Sequence, residues 1–351
     1  MNFMIFIIIF LILSLSHCFQ VVVKQANIDF LVCLHAGPPM NPDFYNKSLD
    51  YISELGANGV RTDVLWGAIE PEQNNYSQEA IQFYKTYFQS CKEKGLDKSI
   101  LIFSSPPDWA KNLWKSGPNS SDRQIFLTSW AKYIDLVMRE VGLPLEISKY
   151  QVWNEPNALP SISFWGDIPS ILKAGGQAIK KLKPDSQIYV NPNCNLPFWT
   201  DELLNWCEKA GDSFTGIGVD HYPGTWAANG WDDWYPLDMV INMTNTQANT
   251  CFGKIPTLME TGYSSFSKCL GHDEFQQNLW IEKSLDVAFT YIKKSQDLKF
   301  SVKEFVFYEL YDEGDESTFP PEEAHFGLIR NNGSKKIGFD ALKEFVKKIT
   351  F

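Results

Sequence analysis

Tyr150-Gln151-Val152-Trp153-Asn154-Glu155-Pro156-Asn157 is the stretch that decides the fold of this 351-residue chain. Its first four residues are mostly apolar, aromatic or β-branched and show no helical period, which predicts a short buried strand. Pro156 cannot donate a hydrogen bond to a sheet ladder, so the strand must end near Glu155. The stretch therefore places a carboxylate at the carboxyl end of a buried strand, next to an amide.

A second stretch, far downstream, repeats this arrangement. Residues 255–259 predict another strand, Glu260 ends it, and Thr261-Gly262 turns the chain. A single strand-end glutamate is an ordinary loop acid or helix-cap residue in most proteins. Two of them, each following a buried strand, indicate a site built from paired carboxylates.

The whole chain alternates predicted strands with predicted helices. The strands are expected at residues 28–34, 60–65, 99–103, 150–155, 187–190, 216–219, 255–260 and 304–310. Eight strands alternating with eight helices predict an α/β protein, a single (β/α)8 TIM barrel. A doubly wound open sheet is the alternative, but the chain has no G-x-G-x-x-G turn after its first strand.

In a (β/α)8 barrel, the carboxyl ends of all the strands face one mouth. Glu155 and Glu260 are therefore expected to meet there, despite their distance in sequence. Paired carboxylates at one mouth are suited to glycoside cleavage: one protonates the leaving oxygen and later activates water, while the other attacks the anomeric carbon. The two roles require different pKa values, which the surroundings of each carboxylate must set.

The pentapeptide Trp153-Asn154-Glu155-Pro156-Asn157, together with Glu260 and the strand-two Arg61, resembles clan A of the glycoside hydrolases, the TIM-barrel retaining glycosidases. The resemblance extends from strand two to the last helix. Further stretches resemble family 39-like or family 5-like members of the clan, and these are residues 59–63, Trp66, 69–71, 107–109 and 308–314.

This resemblance implies a role for each matching residue. Glu155 would be the acid/base and Glu260 the nucleophile. Asn154 would hydrogen-bond the sugar 2-hydroxyl. Arg61 would lie near the nucleophile and keep it ionised, because a nearby cation lowers the pKa of a carboxylate; a structural ion pair is the alternative role for Arg61.

Five further residues are candidates for substrate binding. His221 and Tyr222 match the strand-six positions that line the site in the clan, with Tyr222 as a partner for the nucleophile. His35, at the end of strand one, and Trp109, in a loop, are the next two. Many clan members end strand eight with a sugar-stacking tryptophan, where this chain has Tyr308. Core packing is the alternative interpretation for Tyr222 and Trp109, and an ordinary loop position is the alternative for His35.

Composition and motifs limit the remaining possibilities. The net charge of −11 argues against nucleic acid and anionic membranes as partners. The chain has no His-Glu-x-x-His and no Cys-x-x-Cys, so neither a metal nor another cofactor is expected. It also has no G-x-S-x-G, so an esterase would have to depend on Ser213. The expected partner is an oligosaccharide, polysaccharide or glycoconjugate substrate, bound by a monomer.

The amino terminus predicts export. Residues 3–13 are all apolar and are followed by small residues up to Cys18, which predicts a signal peptide at 1–18 and a catalytic barrel at 19–351. No membrane span is expected in the mature chain. Five N-glycosylation sequons predict a glycoprotein that is secreted or resides in the endomembrane or lysosomal lumen. The sequons are at Asn46, Asn75, Asn119, Asn242 and Asn332.

Six cysteines follow the predicted leader, and an even number in an oxidising compartment permits disulfides. The short loop between Cys194 and Cys207 favours a bridge between them. A second bridge, from Cys251 to Cys269, is harder to close because strand seven separates its ends. The remaining two cysteines are expected to be buried free thiols, and these are Cys33 and Cys91.

Together these observations predict a secreted, retaining β-glycosidase that hydrolyses O-glycosidic bonds by double displacement, with one glutamate as acid/base and another as nucleophile. The competing class is a catalytically inactive carbohydrate-binding protein on the same barrel. The intact pair of glutamates and Arg61 favour the enzyme.

Overall fold

The computed structural model describes residues 28–117, 120–158, 167–194, 199–225, 237–251, 253–266, 271–295, 302–313 and 321–350. Its strands form a closed barrel in which each one pairs in parallel with its neighbours in chain order, and β8 closes onto β1. The strands are β1 (Asp29–Cys33), β2 (Gly59–Leu65), β3 (Ile100–Ser104), β4 (Lys149–Val152), β5 (Gln187–Val190), β6 (Gly216–Asp220), β7 (Ile255–Thr261) and β8 (Glu304–Phe307). The predicted (β/α)8 barrel is confirmed.

Helices cover the outside of the barrel. They are α1 (Pro42–Leu55), α2 (Trp66–Ile69), α3 (Gln78–Glu93), α4 (Asp108–Lys115), α5 (Ser121–Val137), α6 (Ile168–Leu182), α7 (Trp199–Ala210), α8 (Leu237–Thr250), α9 (Glu274–Ser295) and α10 (Gly338–Thr350). A π-helical turn at Met138–Gly142 extends α5. Short 3₁₀ turns lie at Gly211–Ser213 and Glu323–His325. The short helices α2 and α4 were not expected from the sequence.

The alternation of side chains along each strand builds two separate apolar regions. In β1, Phe30 and Val32 point outward into the layer between the sheet and the helices, while Leu31 and Cys33 point into the barrel interior. Phe30 stacks on Phe305 of β8, with ring centroids 5.7 Å apart. The interior is filled by side chains, so chemistry is confined to the ends of the barrel.

The close contact between α6 and the barrel depends on two adjacent glycines. A Cβ atom on Gly175 would lie 2.7 Å from Val152 Cγ1, and one on Gly176 would lie 2.2 Å from the carbonyl oxygen of Ser213. Ser213 is itself fully buried at this contact. It therefore lies beneath a helix, where a nucleophilic serine would not meet a substrate.

β4 ends at Val152, three residues before the predicted end at Glu155. The chain leaves the sheet because Trp153 and Glu155 adopt left-handed backbone conformations, with φ of 69° and 40°. Such conformations are costly for residues other than glycine and are concentrated at functional sites. The turn carries Glu155 away from the sheet edge and over the mouth of the barrel.

Parts of the sequence interpretation lie outside the described residues, namely the leader at 1–18 and the sequon at Asn119. The other four sequon asparagines are exposed or partly exposed. Of the helices that the structure describes, none combines the length and apolar character that a membrane crossing needs.

The predicted disulfide pairing is wrong. Cys207 of α7 bonds to Cys251, at the end of α8, with their Cα atoms 5.6 Å apart. Cys194 is a buried free thiol near the barrel mouth, and Cys251 is already paired, which excludes a bridge to Cys269. The prediction failed because it considered only cysteines close in sequence, whereas the helices around a barrel bring distant segments side by side. Cys33 and Cys91 are buried and free, as predicted.

We expect reduction of the Cys207–Cys251 disulfide to lower the free energy of unfolding by about 4 kcal/mol, because the bond closes a long loop in the unfolded chain. The bonded cysteines are 44 positions apart. Urea unfolding of the oxidised protein and of the Cys207→Ala/Cys251→Ala variant measures the difference. Cys91→Ala is the control, since it removes a buried thiol without changing the response to reductant. A peptide map that joins Cys194 to Cys207 would contradict the pairing.

Candidate active site

Glu155 and Glu260 meet at the mouth of the barrel. The first follows β4 and the second lies in β7. One carboxylate oxygen of each lies within 4.8 Å of the other, and an oxygen of Asp220, the last residue of β6, lies within the same distance of both. Three carboxylates from three different strands are thus gathered in one small volume.

Two donors hold Glu260. The Arg61 guanidinium donates to its Oε1, and the Tyr222 hydroxyl donates to its Oε2. Burial, and then the negative charge of Glu260, raise the pKa of Tyr222 well above its usual value, so Tyr222 remains a donor. Each oxygen of Glu260 therefore has a fixed partner, and the carboxylate has a defined orientation.

Arg61 connects several parts of the site from a buried position on β2. Besides Glu260, its Nε donates to Gln151 Oε1 at 2.8 Å and its Nη2 to Asn154 Oδ1 at 2.7 Å. Burial alone would lower the pKa of Arg61, but the charge of Glu260 raises it, and the guanidinium stays charged. The planar guanidinium group, which donates to several fixed acceptors, positions a carboxylate more rigidly than a lysine ammonium group would.

Glu155 has very different surroundings. Its Oε2 accepts a hydrogen bond from Asn193 Nδ2 at 3.0 Å. Burial, followed by the nearby charge of Glu260, raises the pKa of Glu155 to about 8. Glu155 is therefore mainly protonated at neutral pH, although it lies beside a carboxylate that is held by a cation and a hydroxyl.

The side chain of Asn154 has a fixed orientation. Its Oδ1 accepts from Arg61, from Gln151 Nε2 at 3.1 Å and from Asn191 Nδ2 at 2.9 Å. No acceptor in the described part of the chain receives a hydrogen bond from its amide nitrogen, which is therefore available to donate to a ligand. Asn154 lines the cavity described next, so a ligand there meets a hydrogen-bond donor beside the two glutamates.

A cavity of about 670 Å³ opens at the mouth. This volume falls in the range of small-molecule sites, about 300–1,000 Å³. Its walls are His35, Ala36, Gly37, Asp63, Leu65, Ser104, Ser105, Pro106, Lys111, Trp153, Asn154, Tyr308 and Glu313. The walls include polar side chains and the aromatic rings of Trp153 and Tyr308, which suit a ligand with both hydroxyl groups and apolar faces.

His35 lies between two carboxylates on this wall. Its Nδ1 is 3.5 Å from Asp63 Oδ2 and its Nε2 is 3.5 Å from Glu309 Oε2. The His35 side chain is 46% exposed. Partial burial alone would lower its pKa, but the hydrogen bond with Asp63 and the charges of Glu309 and Asp63 raise it. The imidazole is therefore a cation with both nitrogens directed at acids.

The two tyrosines at the end of β8 have different positions. Tyr308 lines the cavity and packs edge-on against Tyr222, with ring centroids 5.6 Å apart. Its hydroxyl donates to Glu323 at 3.0 Å. Tyr311 packs instead against Phe44 of α1. Of these two tyrosines, Tyr308 is the one that lines the cavity.

Three of the nine sequence candidates line the cavity, and these are His35, Asn154 and Tyr308. Trp109 and His221 have supporting contacts instead. The Trp109 ring packs edge-on against Trp66, and its Nε1 donates to the backbone oxygen of Glu70 at 3.1 Å. His221 is buried, and its backbone N–H donates to the backbone oxygen of Glu260 at 3.0 Å. Trp109 and His221 thus support the loops and strands of the site, and neither is among the cavity-lining residues.

Asp220 is the site residue that the sequence interpretation missed. The signal was available, because side chains alternate along a strand: Tyr222 was predicted to face the site, and the residue two positions earlier belongs to the same side. The supporting amides Gln151, Asn191 and Asn193 were also not identified. Gln151 Nε2 donates to Asn191 Oδ1 at 2.7 Å, which joins β4 to β5 beneath the glutamates.

Among the described residues, two groups of side chains lie close enough to hold a metal ion. One consists of Glu155, Asp220 and Glu260, and the other of His35, Glu309 and Glu313. In the first group, Arg61 already supplies a positive charge to Glu260. In the second group, the protonated His35 supplies one to Glu309.

Known structures resemble this chain in fold. An exo-β-1,4-mannosidase from Opitutaceae bacterium strain TAV5 superposes with a TM-score of 0.69 at 17% identity, over 95% of this chain and 61% of that one. A family 39 glycoside hydrolase from Bacteroides cellulosilyticus WH2 gives 0.62 at 16% identity, over 93% and 65%. A GH5_18 protein from Streptomyces cattleya, in complex with GlcNAc, gives 0.68 at 14% identity, over 93% and 81%.

The chain thus spans less than two thirds of the length of the first two of these proteins. No protein-family model matches the chain, and no curated protein matches it by sequence. At such low identity, the likeness establishes the barrel fold that the sequence predicted.

Proposed function

We propose that the chain is a retaining β-glycosidase of the clan A type, which hydrolyses O-glycosidic bonds by double displacement. The observation that carries this proposal is the separation of Glu155 and Glu260, whose nearest oxygens lie within 4.8 Å. Retaining enzymes hold their two carboxyl groups about 5–5.5 Å apart, whereas inverting enzymes leave about 6.5–9.5 Å for a water molecule. Nearest oxygens within 4.8 Å favour the shorter of these two spacings.

In the first step, Glu260 attacks the anomeric carbon and Glu155 gives its proton to the leaving oxygen. Glu155 is suited to this task because its raised pKa keeps it protonated at neutral pH. Glu260 is suited to attack because Arg61 and Tyr222 fix both of its oxygens. The glycosidic C–O bond breaks, and a covalent bond from Glu260 to the sugar replaces it.

In the second step, Glu155, now ionised, takes a proton from water, and the water oxygen attacks the anomeric carbon. The bond to Glu260 breaks, and both carboxyl groups return to their initial protonation states. Each step inverts the anomeric centre, so two steps retain its configuration. The amide nitrogen of Asn154 is placed to hydrogen-bond the sugar beside the nucleophile.

Two other functions fit the structure less well. A carbohydrate-binding protein without activity would not require a partly buried acid with a pKa of about 8 beside a carboxylate held by Arg61 and Tyr222. An esterase would need Ser213 as its nucleophile, but Ser213 is buried against α6. We also propose that the protein is exported and glycosylated, because exposed or partly exposed sequon asparagines follow an apolar leader.

Hydrolysis of aryl β-glycosides tests the enzyme function. We expect the protein to hydrolyse at least one of a panel that includes β-mannosides and β-glucosides, and ¹H NMR of the early reaction to show the β-anomer of the product first. Binding to oligosaccharides without any hydrolysis would favour the inactive alternative. An α-anomer as the first product would contradict the retaining mechanism.

A further inference from the structure

Asp220 is a third carboxyl group at the reaction centre. It is fully buried at the end of β6, and one of its oxygens lies within 4.8 Å of an oxygen of Glu155 and of Glu260. Arg61 is the cation at this centre, and it donates to Glu260. Three carboxylates at such distances with one cation are not all ionised, because like charges in a buried site repel strongly.

The hydrogen bonds around Asp220 indicate that it retains a proton in addition to the one on Glu155. Its Oδ2 accepts from Asn191 Nδ2, while its Oδ1 is buried and no donor from the described part of the chain reaches it. A buried carboxylate oxygen without a donor is costly, whereas a carboxylic acid satisfies this position by donating. One oxygen of Asp220 also lies within 4.8 Å of an oxygen of Glu155, and a hydrogen bond between the two carboxyl groups lowers the pKa of Glu155.

We propose that Asp220 carries a proton at neutral pH and donates a hydrogen bond to Glu155, and that it thereby positions the acid/base in both of its protonation states. This inference rests on the proposed function for its role in the reaction. In the first step, the bond orients Glu155 while Glu155 is a neutral acid. In the second step, the same bond is directed at an ionised Glu155 and is stronger, since hydrogen bonds to charged acceptors are about twice as strong as neutral ones.

The groups that face Asp220 from neighbouring elements agree with this assignment. Burial, followed by the charges of Glu260 and Glu155, raises the pKa of Asp220 well above its usual value, and Arg61 and Asn191 oppose this only in part. Burial also keeps the thiol of Cys194 and the hydroxyl of Tyr222 neutral. The titratable or charged groups to consider are therefore Glu155, Glu260, Arg61, Cys194 and Tyr222.

Two substitutions separate a neutral Asp220 from an ionised one. Asp220→Asn keeps the shape, an acceptor for Asn191 and a donor for Glu155. If Asp220 is neutral, this variant leaves the pKa of Glu155 unchanged, whereas Asp220→Ala removes the donor and raises that pKa by about one pH unit. If Asp220 is ionised, both variants remove a negative charge and lower the pKa of Glu155.

The measurement is a ¹³C NMR titration of protein labelled at the carboxyl carbons of Asp and Glu, in the presence of EDTA. The Asp220 and Glu155 signals are assigned by their loss in Asp220→Asn and Glu155→Gln. We expect the Asp220 carbon to have the chemical shift of a protonated acid at pH 7. We also expect the pKa of Glu155 to be unchanged in Asp220→Asn and raised in Asp220→Ala. An Asp220 signal with the shift of an ionised carboxylate at pH 7 would overturn the proposal.

This titration does not depend on catalysis, so it decides the state of Asp220 even if no glycoside is hydrolysed. For the active enzyme, the basic limb of the kcat/KM profile gives a second readout. We expect this limb to stay in place for Asp220→Asn and to move to higher pH for Asp220→Ala. Movement to lower pH in both variants would show that Asp220 is ionised and would contradict the proposed hydrogen bond.

Discussion

Glu260→Gln is expected to lower kcat for an aryl β-glycoside on the order of 10⁴-fold or more, because an amide cannot form the covalent bond to the sugar. The substitution keeps the size of the side chain, and its amide oxygen still accepts from Arg61 or Tyr222. The substrate therefore still binds, and KM should change far less than kcat. Initial rates over a range of substrate concentrations separate the two constants.

A glutamate at the opposite end of the barrel is the matched control. Glu304 begins β8, is buried, and forms an ion pair with Lys149, 3.0 Å away. Glu304→Gln should lower the stability of the protein while leaving kcat within a few-fold of the original value. Equal losses of kcat in Glu260→Gln and Glu304→Gln would mean that position 260 acts only through the fold.

Rescue by a small nucleophile extends the test. In Glu260→Ala, the space left by the carboxylate can admit azide, which attacks the anomeric carbon directly in one step. We expect azide to restore part of the rate and to yield an α-glycosyl azide, the inverted product. A β-glycosyl azide from this variant would contradict the assignment of Glu260 as the nucleophile.

The sequence alone predicted that Glu155 and Glu260 lie at the same end of one barrel. Pro156 and the Thr261-Gly262 turn each end a strand close to a glutamate, and a closed parallel barrel brings all such ends to one mouth. The alternation of strands and helices predicted that barrel. The structure then brings Glu155 and Glu260 together, and this meeting depends on topology rather than on the identity of neighbouring residues.

Features that depend on contacts between distant segments could not be predicted in the same way. The Cys207–Cys251 bond joins two helices that are neighbours around the barrel, and distance along the sequence favoured a different partner for Cys207. Trp109 is an aromatic residue at a strand-end loop, as a sugar platform would be, but it packs against Trp66. Local sequence patterns show which type of side chain stands at a position, but the direction in which that side chain points depends on tertiary packing.

The protonation states of the carboxyl groups in the site also cannot be predicted from local sequence patterns. Glu155 and Glu260 have the same side chain, and their different roles come from a cation and a hydroxyl on one and burial on the other. Asp220 adds a third carboxyl, although Val219-Asp220-His221 looks like the ordinary end of a strand. The alternation of side chains along the strand, which predicted that Tyr222 faces the site, predicts the same for Asp220. The functional importance of Asp220 follows only from its position beside Glu155 and Glu260, which the structure reveals.

Glu155→Gln is expected to lower kcat/KM by about 10²–10⁴-fold for glycosides with poor leaving groups, which is the range attributed to general acid–base catalysis. Substrates with activated aryl leaving groups need less protonation, so their first step should be affected much less. The pH profile should change as well. Activity of the original protein is expected to fall above a pH of about 8, where Glu155 loses its proton, and this limb should be absent in the variant.

The raised pKa of Glu155 predicts an effect on stability with a defined sign. The folded protein holds this proton up to a pH of about 8, whereas the unfolded chain releases it near the ordinary value of 4.5. Folding is therefore progressively disfavoured as the pH rises from about 4.5 to about 8. Glu155→Gln carries no such charge and should gain stability relative to the original protein as the pH rises through that window. Urea unfolding at pH 5 and pH 8 measures this, and an equal difference at both pH values would contradict the assignment of Glu155 as the buried acid.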